Sequence, residues 1–298
     1  MTHSTAYLLI SHGSRDPRPQ EAMNRLADLV RKKLEDRSTK AQPERGLQKN
    51  QAIFADTLTE EKVSDDNAFK SHTALLASPL VKTSVVLESI PMVGTACLEL
   101  SPIPLSEQIY EFGTRVAAAG AKELKLLPIF LMRGVHVKED IPEEVETART
   151  LLSENTIKLT LCPHLGNHSK IDDTLANRLS ADASTHTLLV AHGSRRPKGN
   201  QAIKRLGERL NVPVAYWSTP PDIETQVISL MQKGGQKITI LPYFLFPGGI
   251  TDAITHRTEE LAERFPSVEF RLLPTLGATE EVANLTVELC LSEALPNG

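Results

Sequence analysis

The chain has 298 residues, 40% of them hydrophobic, 23% charged and 4% aromatic, with a formal net charge of −4. That is globular composition, enough for about two domains at roughly 100–200 residues each, and it excludes wholesale disorder. An acidic, aromatic-poor chain has neither the basic field of a generic nucleic-acid binder nor the stacking platform of a single-strand binder, so no nucleic-acid partner is expected.

In chain order, Tyr7–Ile10 is an apolar run predicted as a strand that ends at HGSR. Ala22, Leu26, Leu29 and Val30 recur at helical spacing and predict a helix over Gln20–Leu34. A polar, weakly periodic stretch follows, roughly 37–90, with short helical pieces conceivable around Asp56–Lys62 and Thr73–Leu80. It reads as an inserted surface excursion without chemistry of its own. Then come a strand (Gly94–Leu100), a helix (Ser106–Ala119) stopped by Gly120, and a strand (Leu124–Phe130). A helix with Pro in its first turn (Pro142–Ser153) and a strand (Ile157–Cys162) complete the first half. The second half repeats the alternation: Thr187–Ala191, Asn200–Leu210, Pro213–Trp217, Ile223–Lys233, Lys237–Phe244, Thr251–Phe265 and Glu269–Leu273.

The halves are copies. YLLISHGSRDPRPQEAMNRL (7–26) and TLLVAHGSRRPKGNQAIKRL (187–206) share ten of twenty positions at an offset of 180. LPIFLMRG (127–134) matches LPYFLFPG (241–248) at 114, and LCPHLG (161–166) matches LLPTLG (272–277) at 111. Three matched segments in one order mean a duplicated domain, not a short-period solenoid. The fall from 180 to 114 puts about 66 additional residues in the first half, in the polar stretch. The expected fold is α/β: two tandem, doubly wound parallel-sheet domains facing a central cleft, one over 1–170 and one over 171–298. Such sheets bind ligands at the carboxyl ends of their strands, where every motif above lies.

His12 directly follows strand one, before a glycine that lets the chain turn and a serine, Ser14, that can cap the next segment. His136 follows the third strand, and Glu99 ends the second. The matched positions of the second half hold His192, Ile250 and Ser218, so only the first half offers two imidazoles and a carboxylate. That set suits a loosely held divalent first-row metal, or proton removal near neutral pH. His164 and His168 could add to the rim or be ordinary loop residues, and His256 is expected on a helix surface. Arg15, Arg18, Arg133 and Lys138 flank the histidine motifs and together would favour a polyanionic ligand.

The three cysteines, Cys97, Cys162 and Cys290, are far apart with no C-x-x-C pair. A disulfide framework, a cysteine zinc site and an iron–sulfur cluster are disfavoured, and a reducing, cytoplasmic compartment fits. No apolar run reaches the roughly 18 residues of a membrane helix, and the start lacks a signal-peptide core. No G-x-x-x-x-G-K-[ST] or G-x-G-x-x-G pattern occurs, which disfavours a nucleotide enzyme.

LLISHGSRDPR, then ACLELSP, then LPIFLMRGVHVKEDIP resembles the CbiX-type sirohydrochlorin chelatases, ATP-independent class II enzymes of tetrapyrrole synthesis. The tandem HGSR resembles the long, two-domain form, and the likeness covers about 1–36 and 91–290. The resemblance implies insertion of a divalent metal, Fe2+ or Co2+, into sirohydrochlorin, for sirohaem or a cobalamin precursor. The metal is a substrate, and no permanent cofactor is implied. It places the active-site histidines at His12 and His136 and the strand-end carboxylate at Glu99, as catalytic and metal-holding residues. Ser14, Arg15, Arg133, Lys138 and His192 would form the substrate rim, with the second half's own site degenerate. The His-rich segments and additional cysteine motifs of some cobalt enzymes of the family are missing, which tilts the metal to iron. The fused halves imply a monomer. Two rivals stand beside this reading. One is a non-catalytic metal or tetrapyrrole carrier. The other is a histidine-phosphatase-like enzyme, which needs Arg before the histidine where this chain has Ser11 and Ala191.

Overall fold

The computed structural model describes residues 4–40, 91–152, 157–180 and 186–292. The first repeat runs β1 (Ser4–Ser11), α1 (Pro17–Lys40), β2 (Val93–Cys97), α2 (Leu105–Ala118), β3 (Ala121–Pro128), α3 (Ile141–Leu151), β4 (Lys158–Leu161) and α4 (Ile171–Ser180). The second runs β5 (His186–Ala191), α5 (Gln201–Leu210), β6 (Val214–Tyr216), α6 (Ile223–Gln232), β7 (Lys237–Pro242), α7 (Gly249–Arg264), β8 (Glu269–Leu272) and α8 (Glu280–Leu291). Each repeat builds a four-stranded parallel sheet, ordered β2-β1-β3-β4 and β6-β5-β7-β8.

The central strands are apolar on both faces because both faces are covered. On β1, Ala6, Leu8 and Ile10 pack with α2 and α3 through Ile109, Phe112, Val116, Ile141 and Val145. Tyr7 and Leu9 point the other way, toward Met23, Leu26 and Val30 of α1. The same alternation on β5 sends Leu188 and Val190 to α6 and α7, and Leu189 and Ala191 to the opposite side. Tyr7 and Leu9 share one apolar cluster with Leu189, Ala191 and Tyr243, joined through residues of α1, α4, α5 and α8, so the two repeats share a common core. Each fully buried Leu or Ile contributes about 1.5–3 kcal/mol.

Among the described residues, every strand and helix expected from the sequence is present, with ends shifted by a few residues. Gly120, φ +95°, sits just past α2, and β3 stops at its proline. Helix α1 continues through Arg37–Lys40, so the first residues assigned to the insertion are helical. Residues 41–90, including both suggested helical pieces, lie outside the described residues.

Helices α4 and α8 were not anticipated, and they exchange partners. Helix α8 packs against α1 and β3 of the first repeat. Lys33 pairs with Glu280 at 2.5 Å, and Lys125 Nζ donates to the Cys290 carbonyl at 2.8 Å. Helix α4 packs against α5, where Arg209 pairs with Asp172. Arg178 donates to the carbonyls of Thr275 and Leu276 at 3.0 and 2.8 Å. Each repeat therefore closes with a helix lying on the other.

The first turns of α1 and α7 also meet. Arg18 of α1 donates to Asp252 of α7 at 3.0 and 2.5 Å, and it also pairs with Asp16.

Candidate metal-handling site

Three adjacent strands deliver three side chains to one point. Strand β2 pairs with β1 up to Ser11 opposite Cys97. The ladder then continues two residues beyond the sheet: Leu98 N–H donates to the Ser11 carbonyl and Glu99 N–H to the His12 carbonyl, both at 2.9 Å. This fixes Glu99 beside His12. On the other flank, β3 pairs with β1 up to Ile10 opposite Pro128, and Ile129 N–H donates to Ile10 at 2.7 Å. The chain then crosses the strand ends and enters a π turn, His136–Asp140, that leads into α3.

His12 Nε2 lies 3.8 Å from Glu99 Oε2, and His136 Nδ1 lies 3.9 Å from Glu99 Oε1. The imidazoles meet edge to face, with centroids 4.9 Å apart. One donor atom from each of the three residues falls within 4.8 Å of the others. Ligands bonded at about 2.0–2.2 Å to one ion would stand slightly closer than this, so small side-chain rotations would close the set on a metal. The Phe130 ring lies near both imidazoles, its centroid 6.5 Å from that of His12 and 6.4 Å from that of His136. The side chains of His12 and Glu99 are half exposed, which leaves the group open to a large planar ligand and to water. Among the described residues, this is the one such cluster of His, Cys, Asp or Glu.

The second repeat copies the scaffold without the chemistry. Ser218 N–H donates to the His192 carbonyl at 2.9 Å, as Glu99 does to His12. A serine therefore stands where the carboxylate would be. Ile250, partly exposed at the start of α7, takes the place of His136.

The remaining candidates separate. Ser14 Oγ accepts from Asp16 N–H at 3.0 Å and so shapes the turn into α1. Arg15, Arg133 and Lys138 are exposed and make no ion pair among the described residues. Arg18 leaves this group, because two carboxylates neutralise it. His164 is buried, and burial, with the Arg133 charge second, pushes its pKa down to about 4. His168 Nε2 faces Glu288 of α8 at 3.3 Å, a contact between repeats. His256 sits on the surface near Glu259 and Glu260.

The sequence reading missed one neighbour of the trio. Asp140 Oδ2 lies 2.6 Å from His136 Nδ1. Its signal was the H-x-x-x-D spacing at the start of a helix, where residues four apart adjoin.

Three comparisons place the chain among known proteins. The CbiX family profile matches twice, over residues 69–182 and 186–292. A sirohydrochlorin cobaltochelatase of Priestia megaterium is 24% identical over 54% of this chain and 57% of its own length, so the match spans little more than half of that relative. A sirohydrochlorin ferrochelatase of the same organism is 23% identical over 66% of this chain and 76% of its own. In structure, SirB from Bacillus subtilis with Fe3+ superposes with a TM-score of 0.62 at 16% identity, covering 96% of this chain and 94% of that one. At that identity the likeness is one of fold.

Proposed function

Since the chain belongs to the CbiX family, we propose that it inserts a divalent metal ion, Fe2+ or Co2+, into sirohydrochlorin without ATP. The observation that carries this is the convergence of His12, Glu99 and His136 at the ends of three adjacent strands of the first sheet. These residues would receive the metal and pass it to the macrocycle. As the metal enters, two pyrrolic N–H bonds break. Their electron pairs go to the metal, and the protons leave to an imidazole or to water. Histidine, with an ordinary pKa near ~6.5, accepts protons in this range. The absence of thiolate from the trio suits transfer, because a soft, tight ligand would retain the ion.

Sirohydrochlorin is rich in carboxylates, and Arg15, Arg133 and Lys138, which have no ion-pair partner among the described residues, are the groups that would bind them. We assign Ser14 and His192 to the same rim, with His192 reaching from the second repeat. In this reading 1–170 carries the chemistry and 171–298 supplies the opposing wall, with α8 returning to the first sheet. We read the chain as a monomer, its two halves already fused, in a reducing cytoplasmic compartment that suits three free cysteines. Among the described residues, no helix is long and apolar enough to cross a membrane.

The test is anaerobic incubation with sirohydrochlorin and Fe2+ or Co2+ separately, followed by absorbance. Catalytic turnover is expected with at least one metal. Stoichiometric binding without turnover would identify a carrier instead.

A further inference from the structure

The two repeats change register at the site. Upstream, Leu127–Gly134 matches Leu241–Gly248 at an offset of 114. Downstream, the core-facing residues Ile141, Val145 and Ala148 of α3 match Ile254, Thr258 and Leu261 of α7 at 113. The first repeat therefore holds one additional residue between Gly134 and Ile141. The π turn lies there, closed by the Ile141 N–H donating to the His136 carbonyl five residues back. A π turn is how an α-helix absorbs one added residue, and such turns recur at functional sites. The second repeat enters α7 without one.

In a helix of 3.6 residues per turn, one residue corresponds to about 100° of rotation. The insertion thus turns the residues before it around the axis, while Ile141 and those after it keep their core-facing stripe. His136 is presented to Glu99 and His12, with Asp140 against its ring.

We propose that Asp140 is a positioning residue for metal transfer, held in place by this one-residue insertion. An ionised carboxylate only accepts hydrogen bonds, so at 2.6 Å it takes the Nδ1–H of His136. That leaves Nε2 as the bare nitrogen, so it is Nε2, and not the Nδ1 that stands 3.9 Å from Glu99, that would take the metal, and it fixes the ring plane. Carboxylates behind histidine ligands act in this way on bound metals. The second repeat has lost the pair as well as the insertion: Ala253 matches Asp140 at the downstream offset, and Ile250 matches His136 upstream.

The inference rests on the chelatase reading, and the experiment separates the two. Wild type, Asp140→Ala, Asp140→Asn and, as control, Glu139→Ala on the same turn are titrated with Co2+ alone and assayed for insertion. Asp140→Ala should weaken Co2+ binding and raise the KM for Co2+ by about 10–100-fold. The KM for sirohydrochlorin and the thermal midpoint should stay near wild type, and Glu139→Ala should match wild type throughout. If Asp140→Ala does not fold, the isosteric Asp140→Asn is read the same way, since its amide can support either imidazole tautomer. Unchanged Co2+ binding in a folded Asp140 variant, or an equal loss in Glu139→Ala, overturns the positioning role. A wild type that binds Co2+ but inserts none overturns the chelatase reading, while the titration still decides Asp140.

Discussion

The carbonyl oxygen of Glu99 lies 1.9 Å from where a Cβ on Gly13 would stand. Gly13 also has φ +96°, in the left-handed region. The turn after β1 can therefore approach the end of β2 only because residue 13 has no side chain, and that approach sets His12 beside Glu99.

Gly13→Ala should displace this contact and separate the two groups. Gly193, at φ +83°, is also crowded but less so: a Cβ there would meet the side-chain atoms Thr219 Oγ1 and Tyr216 Cβ, both at 2.8 Å. Both substitutions should lower stability, by roughly 1–3 kcal/mol for the backbone strain alone. Only Gly13→Ala should also lose most of its metal insertion relative to its folded fraction. Thermal melts beside insertion rates decide this, and equal loss of activity in the two variants would contradict it.

His164 should give the fold an acid limb. It is neutral in the folded protein, its pKa pushed down to about 4 by burial and then by Arg133, whereas in the unfolded chain it takes up a proton near ~6.5. Between these values the unfolded state binds more protons, so stability falls as pH drops from about 6.5 toward 4. The loss is on the order of 3 kcal/mol when complete. His164→Gln should remove this part of the pH dependence. Denaturant midpoints on either side of pH 6 test it, and identical slopes in the two proteins would refute it.

Arg15→Ala, Arg133→Ala and Lys138→Ala should each raise the KM for sirohydrochlorin by roughly two- to fivefold, as expected for exposed charge pairs. Added salt should diminish the differences. Arg18→Ala should leave this KM nearly unchanged, because Arg18 already serves Asp16 and Asp252. A larger effect at Arg18 than at Arg15 would reverse the assignment.

The duplicated HGSR turns and the alternation of strand and helix made both sheets legible in the sequence. So was the asymmetry of His12, Glu99 and His136 against His192, Ser218 and Ile250. Helices α4 and α8 were not, because each is held by a partner in the other repeat, Arg209 for Asp172 of α4 and His168 for Glu288 of α8, and local spacing does not encode a partner. Arg18 read as one more rim cation because the second of its two carboxylates, Asp252, lies 234 positions away, beyond what the neighbouring Asp16 shows. The register change at His136–Asp140 was present in the two sequences. It shows only when the buried faces of α3 and α7 are known, since the matched motif stops at Gly134.

The most direct test is steady-state, anaerobic metal insertion into sirohydrochlorin by wild type, His12→Ala, His136→Ala and His192→Ala, each beside its thermal melt. The account predicts losses of about 10²–10⁴-fold for His12→Ala and His136→Ala, the range of a lost acid–base group. His192→Ala should lose only a few-fold, with all four proteins folded. If His192→Ala were as damaging as His12→Ala, or the wild type formed no metal complex with either ion, the one-sided site in the first sheet would be wrong.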